Sequence, residues 1–149
     1  MKKVCYLMFV LACLTSPCTW ADTENACGTL HIQIANLTSE SCFLVTSNLI
    51  HGSLHSSPPA TILSNDSKRF EIAQTVYGPE INLEYNCNGK YITFKSQQEY
   101  CLFSAGKISG QIVSKTVGID ASYTTESGSA FWRKPGTINW KLTPEKGSF

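Results

Sequence analysis

The side chains able to do chemistry are few, and their spacing argues against catalysis. The histidines are His31, His51 and His55. His51 and His55 stand at i, i+4, which shares one face of a helix, but they fall in a Ser/Pro-rich stretch with no third ligand nearby. A metal site needs three or four converging donors, so none is expected there. Glu80 and Glu84 have the same strand parity, as a glycosidase carboxylate pair could have. The same parity also describes two glutamates on the solvated face of a strand, which is the plainer reading. No G-x-S-x-G elbow, H-E-x-x-H pair or phosphate-cradling glycine loop occurs. The expectation is a non-enzymatic protein with no catalytic residues, metal or cofactor.

Two other sets carry more information. Phe131, Trp132, Arg133 and Lys134 follow the Gly/Ser/Thr-rich stretch from Thr124 to Ala130. An aromatic pair leading into two cations suits a loop that faces lipid headgroups or stacks on a sugar: flat apolar faces, a polar tip and nearby positive charge. These four are the candidate binding residues; the competing reading has Trp132 cap the core while the cations are solvated. The second set is the cysteines. Cys5, Cys13 and Cys18 lie in an N-terminal segment, leaving Cys27, Cys42, Cys87 and Cys101, an even number without C-x₂₋₄-C spacing. In an exported chain that pattern means two disulfides rather than zinc.

Export is expected from residues 1–21. Lys2 and Lys3 precede the apolar run Val4 to Leu14, and Thr19-Trp20-Ala21 forms a cleavage site, so the mature chain is expected to begin near Asp22. The run is too short to span a bilayer. Val10-Leu11-Ala12-Cys13 resembles a lipobox, but the apolar stretch before it is about nine residues, and cleavage after Ala21 fits better. Such a chain is secreted or periplasmic. Removing 21 of 149 residues leaves 128, one domain at 22–149 with enough length for its own core. Ten basic residues then face eleven acidic ones, a formal charge of −1 that offers nucleic acid no bulk attraction. The basic residues all follow Ser67. That imbalance fits either a solvated surface or a polarised binding face.

The elements that must position these residues read as strands. Leu30, Ile32 and Ile34 alternate with polar neighbours, as do Ile81, Leu83, Tyr85 and Cys87, then Val117, Ile119, Ala121 and Tyr123, then Ile138, Trp140 and Leu142. Trp140 is therefore a core residue. A weak helical pattern appears only around Phe70 to Thr75, and His51 to Ser67, with Pro58-Pro59, reads as a surface loop along a sheet edge. Asn88-Gly89 is a two-residue hairpin signal, since a type I′ turn needs positive φ at both positions. That turn pairs Cys87 with Lys90, Tyr85 with Ile92 and Leu83 with Phe94, which puts the apolar set of both strands on one face. The fold class is all-β: a single-domain antiparallel β-sandwich with two disulfides.

Strand length narrows the disulfide pairing. An extended strand from Gly28 to Asn36 covers about 30 Å, and the short link after it cannot bring Cys42 back to Cys27. Two cross-half patterns stay open: Cys27–Cys87 with Cys42–Cys101, or Cys27–Cys101 with Cys42–Cys87.

Asn36-Leu37-Thr38, Ser47 to Gly52, Pro58 to Ile62, Phe70 and the Gly78 to Tyr85 strand together resemble the aegerolysin-like group of small β-sandwich proteins. The resemblance covers about a third of the mature chain. It implies a two-sheet sandwich that recognises membrane lipid, in some members together with a partner protein and with pore formation; it supplies no residue-level lipid site. The reading is an exported binding protein for a membrane lipid or, second, a cell-surface glycan, with a virulence or toxin-related role. A small secreted enzyme, an enzyme inhibitor and a structural envelope protein are the competing classes. Two sequons, Asn36-Leu37-Thr38 and Asn65-Asp66-Ser67, would carry sugar only in a eukaryotic secretory route.

Overall fold

The computed structural model describes residues 23–147. The expected signal segment, with Cys5, Cys13, Cys18 and the start at Asp22, lies outside them. A 3-10 turn at Thr23–Gly28 leads into β1 (Thr29–Asn36), β2 (Cys42–His51), β3 (Ser53–Leu54), β4 (Thr61–Ile62) and β5 (Ser67–Ala73). The strands β6 (Glu80–Cys87), β7 (Lys90–Gln98), β8 (Ile108–Lys115), β9 (Ile119–Glu126) and β10 (Gly136–Pro144) follow. They form two five-stranded sheets, ordered β3-β5-β1-β10-β9 and β4-β2-β6-β7-β8. Every pairing is antiparallel except one: β1 and β10 run parallel, Leu30 opposite Gly136 and Asn36 opposite Leu142.

The alternation in the sequence is the inner surface of these sheets. Leu30, Ile32 and Ile34 face inward from β1; Ile81, Leu83 and Tyr85 from β6; Ile92 and Phe94 from β7; Ile138, Trp140 and Leu142 from β10. Phe94 lies against Trp140 with ring centroids 4.6 Å apart, joining the two sheets at the centre. The polar handles on buried aromatics are satisfied: Trp140 Nε1 donates to Ser96 Oγ (2.8 Å) and the Tyr85 hydroxyl to the Pro59 carbonyl (2.8 Å). Burial holds the Tyr85 hydroxyl far above its ordinary pKa. The β6–β7 hairpin has the expected register, Leu83 to Phe94, Tyr85 to Ile92 and Cys87 to Lys90, around a turn with φ of 54° at Asn88 and 79° at Gly89.

Four expectations change. The weak helical pattern over Phe70 to Thr75 gives way to strand through Ala73 and loop from Gln74: Phe70 and Ile72 point into the core from β5. The His51 to Ser67 loop contains two short edge strands, β3 on one sheet and β4 on the other, and Ile62 is fully buried. Val117 is exposed in the turn before β9, where Gly118 takes a φ of 93°, so the alternation there begins at Ile119. The Asn36 sequon is buried, with Nδ2 donating to the carbonyls of Glu40, Ile62 and Leu63, so no glycan fits on the folded side chain.

Candidate functional site

The strand registers decide which loops meet. Thr29 pairs with Ala73, Leu30 with Gly136, Glu80 with Gln97, and Gln98 with Ile108. The loops 74–79, 99–107 and 127–135 therefore all leave the sandwich at the end where β1 begins. The disulfide Cys27–Cys101 ties this end together, joining the 3-10 turn before β1 to the loop after β7 in the other sheet. Cys42–Cys87 is the second bridge and selects between the two patterns left open by strand length. It links directly opposed residues of β2 and β6 within the core.

Side-chain hydrogen bonds set the loops against each other. Gln74 Nε2 donates to the Cys101 carbonyl (2.9 Å), and its Oε1 accepts from the Cys101 N–H (2.8 Å), so one amide side chain bridges both backbone groups of the 99–107 loop. Gln98 Nε2 donates to the Cys27 carbonyl beneath them. A side chain at Gly78 would collide with the Gln98 carbonyl, so only glycine lets the 74–79 loop approach this closely. The third loop closes on itself: Ser129 N–H donates to the Lys134 carbonyl (2.8 Å), Lys134 N–H to the Ser129 carbonyl (2.9 Å), and Trp132 N–H to Ser129 Oγ (3.1 Å). Arg133 completes this turn with a φ of 49°.

On this frame the loops hold apolar side chains out in water. Val76, Tyr77, Leu102, Phe103, Phe131 and Trp132 are 62–92% exposed, Phe103 the most and Trp132 at 79%. Phe131 and Trp132 meet edge to face, centroids 4.8 Å apart. Lys107, Arg133 and Lys134 supply positive charge from two of the same loops. At the opposite end Leu37, Leu63 and Val117 are exposed, one from each of three turns, and Phe43 and Tyr91 are exposed on the strands that begin there. Large apolar side chains exposed on several loops at one end mark a contact surface, whereas scattered single residues need no explanation.

The structure brings Phe131 and Trp132 out on one turn, away from the core cap that was the competing reading for Trp132. The sequence reading missed Val76-Tyr77 and Leu102-Phe103. Their signal was present, however: each is an apolar dipeptide that breaks the strand alternation and sits beside Gly, Pro or Ser. The other residues considered for chemistry are scattered. His31 lies on the outer face of β1, 3.2 Å from Glu71, and burial of its ring outweighs that carboxylate to hold its pKa below the usual value. His51 packs on Tyr77 with centroids 5.0 Å apart, while the His55 N–H donates to the Glu71 carbonyl on the other sheet. Glu80 pairs with Lys95 (3.3 Å), and Glu84 accepts from Thr46 (3.3 Å) on the outer face of β6.

The architecture is thus a disulfide-braced two-sheet β-sandwich with an apolar, aromatic-rich loop end. No protein-family model matches the chain, and no curated protein matches its sequence. Solved structures do share the fold. The lipid binding protein Nakanori superposes with a TM-score of 0.62 at 7% identity, covering 77% of this chain and 70% of its own. RahU protein, solved in complex with a Tris molecule, superposes with a TM-score of 0.52 at 10% identity, covering 81% of this chain and 99% of its own.

Proposed function

We propose that this protein is an exported, non-enzymatic binding protein that docks its loop end on a phospholipid membrane. One observation carries the reading: three loops gathered at one end of the sandwich hold six apolar side chains in water. Burying such a side chain fully is worth about 1.5–3 kcal/mol. Half-immersion of six therefore supplies roughly 5–9 kcal/mol, the range of millimolar to micromolar binding. The three cations add roughly 1 kcal/mol each near an anionic leaflet, so the apolar term dominates. Val76, Leu102 and Phe103 offer no hydrogen bond to a sugar hydroxyl, which favours lipid over glycan. The fold shared with a lipid-binding protein supports the same class. No described helix is long and apolar enough to cross a membrane, so attachment through loop tips is the mode proposed. The two disulfides support an oxidising compartment, and the aegerolysin-like resemblance and virulence role belong to this reading.

The test is cosedimentation with phosphatidylcholine/phosphatidylserine vesicles. Phe103→Ala and Trp132→Ala are each expected to weaken binding about tenfold with the melting temperature unchanged, because both side chains are exposed. Trp140→Ala is expected to cost about 3–5 kcal/mol of stability. Wild-type protein that stays in the supernatant at every lipid concentration would refute the membrane reading.

A further inference from the structure

We propose that the Cys27–Cys101 disulfide is a redox latch on the loop end: a dithiol reductant frees the 99–107 loop and switches membrane binding off while the sandwich stays folded. The inference rests on the membrane reading above and adds its regulation.

The two disulfides differ in what they hold. Cys42 and Cys87 are opposed residues of adjacent strands, fully buried in the core, and the β2–β6 ladder keeps them together with or without the bond. Cys27 and Cys101 belong to no strand. Their bond crosses from one sheet to the other at the open end, over a sequence separation of 74 residues. Beside it, the 99–107 loop is held by the Gln74 bridge to Cys101 and the Glu99 N–H to Lys107 carbonyl bond (2.9 Å). The Gln74 bridge grips the backbone of Cys101 and not its sulfur, so it outlasts the crosslink and is then the tie left between this loop and the 74–79 loop. The residue after Cys101 begins the Leu102-Phe103 tip. Losing the covalent anchor leaves that tip, with the most exposed aromatic of the site, held by hydrogen bonds alone.

Access also differs. Cys27 is half-buried and gives the one approach to its bridge, since Cys101 is buried at 4% exposure; Cys42 and Cys87, at 0% and 1%, are buried on both sides of theirs. A dithiol thiolate attacks at Cys27, forms a mixed disulfide and expels the Cys101 thiolate. The reductant's second thiol then closes its own disulfide and releases Cys27. Two electrons and two protons pass from the dithiol to the cysteine pair. The latch is closed in an oxidising compartment and opens in a reducing one, which confines membrane docking to the protein after export.

The experiment treats native, oxidised protein with graded dithiothreitol, alkylates the free thiols and maps them, then measures binding to phosphatidylcholine/phosphatidylserine vesicles. Cys27 and Cys101 are expected to label at least tenfold faster than Cys42 and Cys87. The selectively reduced species is expected to keep its β circular dichroism, bind vesicles at least tenfold more weakly and recover on reoxidation. Cys27→Ser with Cys101→Ser should behave as the reduced form; should that variant not fold, reversible reduction of the wild type decides alone. Labelling of all four cysteines together, loss of the β signal on selective reduction, or vesicle binding within twofold of the oxidised protein would each overturn the latch. Failure of the oxidised protein to bind defeats the membrane reading itself, and the latch with it, whereas equal binding in both redox states defeats the latch alone.

Discussion

Arg133 shows how the site is held at the level of single residues. Its φ of 49° is a left-handed conformation that costs an L-residue with a side chain roughly 1–2 kcal/mol. The turn that displays Phe131 and Trp132 requires it, because the Ser129–Lys134 bridge closes only with the chain bent there. Arg133→Gly relieves the strain and meets a similar backbone entropy on folding, so the backbone terms nearly cancel and any change in melting temperature reads the lost side chain. Binding to anionic vesicles is expected to weaken by a fewfold through the lost charge, and binding to pure phosphatidylcholine to stay within twofold. A large fall in stability would show that the arginine is there for the fold. Asn36 is the opposite case. Noted in the sequence only as part of a sequon, it is a buried hub between β1 and the 62–63 segment, a role that no local pattern announces.

Among the elements, the β6–β7 hairpin is the one whose local chemistry and tertiary role agree fully. Its turn residues demand positive φ, its register follows, and the apolar set on that register is the centre of the core. A side chain on Gly89 would meet nothing within 4 Å, so a substitution there is penalised by backbone conformation alone. Gly89→Val is expected to destabilise by more than about 1 kcal/mol and Gly89→Asn by much less, as chemical denaturation would show. β5 shows the reverse situation. Over Phe70 to Thr75 the local pattern suggested a helical turn, but pairing with β1 on one side and β3 on the other supplies an extended ladder that overrides it. The short strands β3 and β4 could not be read locally either, since two residues carry no periodicity and exist only because a partner strand is present.

For the whole molecule, the two ends of the sandwich present different surfaces. The end crossed by Cys27–Cys101 carries three loops with exposed apolar tips; the hairpin end carries polar turns with isolated apolar residues. Docking through one end predicts a polarised footprint. Hydrogen exchange on vesicle-bound protein is expected to slow in segments 74–79, 99–107 and 127–135 and to stay unchanged in 37–41, 63–66, 88–89 and 116–118. Protection spread over a sheet face would mean side-on binding and a different site. Because apolar burial outweighs the three cations, raising the salt concentration is expected to weaken the footprint only modestly.

The sequence by itself determined the all-β class, the inward faces of β1, β6, β7 and β10, the hairpin register, the cross-half linkage of the cysteines and one of the three apolar tips. Each of these is written in spacing a few residues long: a period of two, an Asn-Gly pair, a strand too long for its ends to meet. The parallel pairing of β1 with β10, the choice of Cys27–Cys101 with Cys42–Cys87, and the gathering of Val76-Tyr77 and Leu102-Phe103 beside Phe131-Trp132 were decided only in three dimensions. Those features join segments tens of residues apart, and what brings them together is the burial of two sheet faces against each other. An apolar dipeptide in a loop looks the same in the sequence whether it folds into the core or stands in water. Its neighbours across the fold make the difference.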